Sequence, residues 1–217
     1  MRYLFAARMG RLMFTTPRLI LIALGAALNC SIGTIVYLVK LPIYLDSIGT
    51  ILIVLLLAPD RMAAFVCAWA AGWVGLAVSG LINPFLPWFA ITDVAIALVA
   101  ALLIVPAAAT FRGRPVRGGA FVFQVVLCGA VTGVVSAIVS APVVVYLFGG
   151  VTGSGSAVVV ALFLKDGLHL MSAAILSGLT ADPLDKVLQV LLAALLYRAT
   201  PGEFIALLRA PEAGAAL

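Results

Sequence analysis

Residues 41–61, LPIYLDSIGTILIVLLLAPDR, decide the reading of this chain. Pro42 opens the stretch in a turn and Pro59 closes it in another. Between them runs an apolar segment about long enough to cross a bilayer, whose hydrocarbon core takes about 20 apolar residues per helix. Asp46 stands four residues after Pro42 and is followed by Ser47 and Gly49. A carboxylate near the mouth of a membrane helix is costly unless it faces protein, water or a ligand. Asp46 therefore has two readings: a cap for the helix behind it, since Asp and Ser satisfy free N–H groups at helix starts, or a ligand or gating group.

The rest of the chain repeats the pattern. Of 217 residues, 65% are hydrophobic and 10% charged, and the mean hydropathy is +1.28, a balance foreign to soluble domains of this size. Spans and short connections use nearly all of it, so a single transmembrane domain, residues 1–217, is expected. That leaves no room for a nucleotide-binding fold, and no GxxxxGK[ST] loop occurs; work driven by ATP would need another subunit. The net charge of +5 does not point to nucleic acid, because the basic residues sit in connections and at helix ends, where they set orientation. Cys30, Cys67 and Cys128 lie in apolar runs without a CxxC pair and read as packing residues. No metal site and no cofactor is expected.

Arg2, Arg8 and Arg11 belong to a basic lead-in, residues 1–18, suited to a membrane surface, and the first apolar stretch reads as a retained helix. Spans are expected near 19–39, 43–58, 62–82, 89–106, from 120 onward, and 184–197. Pro142 is expected to kink or end the fifth. The segment 180–186, with a helix start at Asp182-Pro183, reads as a break. Before it, 157–180 is interrupted at Lys165-Asp166-Gly167. Arg61, Arg112, Arg114, Arg117, Arg198 and Arg209, with the basic lead-in, place both termini and the tail, 202–217, in the cytoplasm. Both ends inside require an even number of crossings. The expected fold is thus an all-α integral membrane protein: six transmembrane helices plus a re-entrant or surface helical segment in the fifth loop.

Asp93 is the second intramembrane carboxylate. It opens the fourth span as Asp46 opens the second, and with one span between them the two fall on the same side, which suggests a shared polar vestibule rather than two unrelated helix starts. Asn83-Pro84-Phe85-Leu86-Pro87-Trp88 is a stiff aromatic loop whose Phe85 and Trp88 suit either interfacial anchoring or stacking on a ligand ring. The glycine-rich 148–156 is a flexible turn without the features of a phosphate loop. Lys165, Asp166 and the lone His169 add polar candidates, His169 also fitting a hydrogen-bonded packing role. Ala23 and Ala27, four apart, share a face that another helix can approach closely, and Gly129, Gly133, Ala137 and Ala141 make a second small-residue stripe.

Four segments in order carry a resemblance: LPIYLDSIGT at 41–50, PWFAITDVAIALVAALL at 87–103, FGGVTGSGS at 148–156 and ADPLDKVLQVLLAALLYRATP at 181–201. Together the chain from about residue 19 to 201 resembles the substrate-binding S-components of energy-coupling factor (ECF) vitamin transporters, and Ala23-xxx-Ala27 is similar to the family's alanine motif. The resemblance implies a six-helix protein of the bacterial cytoplasmic membrane that captures a micronutrient on the outer side under the loops between spans one and two, three and four, and five and six. It implies a transmembrane coupling subunit, docked at Ala23 and Ala27, and two ATPase subunits as partners. The loop at Lys40–Pro42 is short for the family, so most of the lid is expected from the fifth loop. The expected contacts are Asp46 and Asp93 on a polar or cationic ligand group, Phe85 and Trp88 on a ring, and Asn83, Lys165, Asp166 and His169 completing the polar set. An enzyme is not expected, for want of a second histidine, a nucleophile motif or a metal cluster. A membrane sensing or scaffold module and a solitary vitamin transporter are the alternatives.

Overall fold

A computed structural model describes residues 14–113, 115 and 117–210, and its regular elements are all helical. Arg2, Arg8, Arg11, Arg114 and the tail beyond residue 210 lie outside the described residues. The helices are α1 (Thr16–Leu38), α2 (Ile48–Leu57), α3 (Arg61–Ser79), α4 (Ala90–Gly113, preceded by a 3-10 turn, Leu86–Phe89), α5 (Gly119–Phe148), α6 (Ser156–Lys165), α7 (Leu170–Ala199) and α8 (Gly202–Arg209). Pro17 in the first turn starts α1 and the Asp60 carboxylate caps α3 by accepting the Ala63 N–H at 3.1 Å. Gly149, in the left-handed region at φ 56°, ends α5.

By length and composition α1, α3, α5 and α4 with its leading turn are able to cross a membrane, and α7 with α8, bent by 102°, makes a fifth candidate. Leu24, Trp73, Leu102, Phe123 and Leu184 stand exposed on the bundle surface, as suits lipid contact.

The apolar run of the 41–61 stretch sits at the centre of this bundle. It forms only α2, ten residues and about 15 Å long. Nine of the ten are buried, and α1, α3, α4, α7 and α8 pack around them. A helix apolar on every face is buried on every face. Gly49 lets α1 come close: a Cβ there would fall on the Gly25 backbone.

Helix boundaries depart from expectation at Pro42, Pro106 and Pro183. In the second span the helix begins at Ile48, not 43, and the chain before it is irregular, with Lys40 at φ 58° and Leu45 at φ 50°. Helix α4 runs through Pro106 to Gly113, and α5 through Pro142 to Phe148. The expected break at 180–186 does not exist, because Pro183 lies inside α7. An interior proline forfeits one hydrogen bond and crowds the carbonyl four residues back, costing about 3 kcal/mol. Packing along the whole of α5 outweighs this. The small-residue stripe of α5 makes the contact: Gly129 meets the Val187 backbone, Gly133 meets Asp182-Pro183 and Ala137 meets Gly178.

Helix α6 occupies the segment where a helical part of the fifth loop was expected. It pairs with the first turns of α7, where the Ser177 hydroxyl donates to the Ser156 carbonyl at 3.2 Å. The second half of the expected 157–180 pair is therefore the beginning of the last long helix.

Arginines gather at one end. Arg18 donates to the Leu208 carbonyl at 3.2 Å and lies 3.8 Å from Asp60. Arg112 donates to the Thr200 carbonyl at 3.3 Å and Arg198 to that of Phe111 at 3.0 Å. Arg209 donates to the Leu55 and Leu56 carbonyls at 3.3 and 2.9 Å, compensating the free C-terminus of α2. The loops 39–47, 80–89 and 149–155 converge at the opposite end.

Candidate functional site

Beneath those three loops lies a cavity of about 100 Å³, several times the ~10–15 Å³ that one water needs. Its walls come from α1, α3, α4, α5 and α7 as well as the loops.

The first loop is held by the last long helix. Asp185, fully buried, accepts the Tyr44 and Leu45 N–H groups on one oxygen, both at 3.0 Å. Its other oxygen accepts Lys186 Nζ at 2.9 Å and Gln189 Nε2 at 2.7 Å, and Gln189 Oε1 accepts the Ser47 N–H at 3.0 Å. Lys186 Nζ also reaches Asp46 at 3.2 Å, where the Ser47 hydroxyl donates at 3.0 Å. Asp185 and Lys186 present these groups together with Gln189 because residues three and four apart share one sector of a helix, and Gln189 is such a neighbour of both. Below this clamp, the Asn29 side chain accepts the Gly49 N–H and donates to Thr50 at 2.9 Å, tying α1 to the start of α2.

The fifth loop closes over the first through hydroxyls. Tyr44 donates to Ser156 at 2.8 Å, and Ser156, Ser154 and Thr152 follow in a chain with 2.8 Å links. Lys40 donates to the Gly153 carbonyl at 2.8 Å with its ammonium 4.1 Å from the centre of the Tyr37 ring. Gly153 is at φ 70°, so this latch takes a backbone that side chains resist. The middle loop packs beside it: Phe85 meets Phe148 edge-on at 4.7 Å and Phe89 lies 6.0 Å from the same ring.

Asp93 differs from the other acids. It is 6% exposed, it lines the cavity from the first turn of α4, and its Oδ2 has no hydrogen-bond partner. The hydroxyl of its neighbour Thr92, also on the cavity wall, is unpartnered as well. Gly72 on α3 makes room for the carboxylate, since a Cβ there would collide with it. Buried polar atoms are nearly always paired, so two adjacent unpartnered groups on one cavity wall make Asp93 and Thr92 the candidate contacts for whatever fills it.

Of the expected site residues, Asp46, Asn83, Phe85 and Asp93 all line this one cavity. Asp46 is not a side-chain cap: the residue at the cap position of α2 is Ser47, which makes no side-chain cap bond, and the Asp46 carboxylate is engaged by Lys186 and Ser47. Asn83 shapes its loop by accepting the Phe85 N–H at 3.1 Å. Trp88 is 60% exposed and does not line the cavity. Lys165, Asp166 and His169 are exposed and remote from it: α6 carries them about 15 Å from Ser156 to a turn outside the cavity. The lid is shared between loops, because residues 39–47 supply more of it than Lys40–Pro42 promised. Ala23 and Ala27 are exposed on α1, on a face that leaves the bundle.

Sequence reasoning missed Asp182, Lys186, Tyr37, Tyr44, Phe89, Thr92 and Ser136, all cavity residues. Asp182, Asp185, Lys186 and Gln189 were legible as polar groups on one face of an apolar helix; reading Pro183 as a helix start hid them.

No protein-family model, curated protein or solved structure matches this chain.

Proposed function

We propose that this protein is a membrane-embedded binding subunit that captures a small micronutrient-like compound in the cavity beneath its three loops, as the S-component of an ECF-type importer does. The observation that carries this reading is a loop-covered cavity with a buried, unpartnered carboxylate on its wall. Its position supports an outward opening: the arginines collect at the other end, and positive residues favour the cytoplasmic side. In this reading the chain crosses the membrane six times, α2 with its irregular leader being one crossing and α7 the last, and both termini are cytoplasmic. The exposed small-residue face at Ala23 and Ala27 is where the coupling subunit of the importer would pack, its two ATPases supplying the energy.

A thermal-shift screen of the detergent-purified protein against B vitamins, their precursors, nucleobases and nucleosides tests the proposal. A ligand at 100 times its Kd stabilises the fold by about 2.7 kcal/mol. A hit that weakens when Asp93 is replaced supports capture in this cavity. Silence from folded protein across the panel favours a sensing or scaffold module instead.

A further inference from the structure

The charge balance of the cavity identifies the ligand class, if the binding reading above holds. Its ionisable acidic and basic lining side chains, among the described residues, are Asp46, Asp93, Asp182 and Lys186. Lys186 is the only cation, and it is already divided between Asp46 at 3.2 Å and Asp185 at 2.9 Å, the latter behind the cavity wall. Asp182 is buried on the same wall, and neither of its oxygens is an unpartnered buried atom. Asp93 Oδ2 and Thr92 Oγ1 are left over, side by side and buried, and both can accept a hydrogen bond. An anionic ligand would enter against a surplus of carboxylates with no free cation to meet it, which is heavily penalised away from water. The complementary group is one that brings N–H donors, with or without positive charge. No cluster of three metal-ligating side chains occurs among the described residues, which argues for an organic donor rather than a metal ion. Tyr37, Tyr44, Phe85 and Phe89 surround the same space, and aromatic walls favour a flat ring, the more so a cationic one.

We infer that the ligand is a planar nitrogen compound of the amidine or amino-heterocycle type, with its N–H edge on Asp93 and Thr92 and its ring among the aromatic side chains. A carboxylate accepts paired N–H donors in a bidentate geometry that no neutral residue reproduces.

Matched probes test this on the full-length protein in detergent: benzamidine and thiamine as N–H-donating cations, benzoate and biotin as carboxylate counterparts, each scored by thermal shift and then by calorimetry. The cations are expected to stabilise the protein and the carboxylates not. Asp93→Asn is expected to weaken the binding of the cations by about tenfold or more, as loss of a charged hydrogen-bond partner does. Thr92→Val removes an unpartnered hydroxyl without leaving another, so it should keep the melting temperature of the empty protein while weakening the cations several-fold. This second variant guards against misfolding of the first. Binding of benzoate or biotin in preference to the cations overturns the ligand class and leaves the binding-subunit reading standing. Full-strength binding of the cations to both variants also overturns it. Silence from all four probes and from the wider vitamin panel overturns both readings together.

Discussion

Asp185 Oδ1 accepts the Leu45 N–H at 3.0 Å across 140 residues of chain. Leu45 is at φ 50°, a conformation that non-glycine residues avoid, and it stands in the irregular leader that roofs the cavity. The last long helix thus fixes the first loop in a shape that the loop would not hold alone.

Replacing Asp185 should accordingly be among the most damaging single changes. Asp185→Ala strands two backbone N–H groups, the Gln189 amide and part of the Lys186 charge in a dry interior, where breaking one side of a buried ion pair costs about 3–5 kcal/mol. The variant is expected to melt far below the parent or not to accumulate. Asp185→Asn, which keeps an acceptor for the backbone, should lose less. Thermal melts of both in one detergent check the order.

The contact between α5 and α7 depends on glycine. A Cβ at Gly133 would sit 2.5 Å from the Asp182 carbonyl oxygen and from Pro183 Cα, and neither backbone atom can turn aside. Gly133→Ala should destabilise the fold by about 1–3 kcal/mol, as overpacking does, whereas Gly113→Ala, with open space around it, should be neutral. A melting comparison of the pair tests this; equal melting would show that α7 lies elsewhere.

The Lys40 latch should govern how fast ligand leaves more than how stable the protein is. Lys40→Met removes one hydrogen bond to Gly153 and the contact with the Tyr37 ring. Ligand dissociation is expected to quicken about two- to tenfold, the worth of one such hydrogen bond, with the empty protein's melting temperature unchanged. Stopped-flow or surface-capture dissociation rates provide the check.

Residues outside the cavity should be silent in binding. Trp88→Ala, Lys165→Ala, Asp166→Ala and His169→Ala are expected to leave ligand affinity within about twofold, as surface substitutions away from a site do. A large loss in any of them would mean that the binding region extends beyond the cavity.

Ala23→Leu and Ala27→Leu should separate assembly from binding. Both positions face out of the bundle, so larger side chains there cost the isolated subunit little. Co-purification with the proposed coupling subunit should fail while thermal shifts with ligand persist. Normal co-purification would move the docking face off α1.

The sequence by itself determined the all-helical, apolar character, the gathering of arginines, and the pairing of Asp46 with Asp93 in one polar region. Each is a local property: hydropathy follows from composition, and two acids that each precede or open an apolar run, with one run between them, are expected at one level. The α5 stripe was legible for the same reason, because residues four apart share a helix face whatever lies opposite. Only the tertiary structure decided the rest. Pro183 reads as a break until the α5 packing that overrides its cost is known. ILIVLLL reads as part of an ordinary membrane span until five other helices are found around it. Asp46 and Asp93 look equivalent in the sequence, yet Lys186, 140 residues after Asp46, is what occupies one carboxylate and leaves the other unpartnered. Which polar groups are satisfied depends on partners distant in the chain, and no local pattern records them.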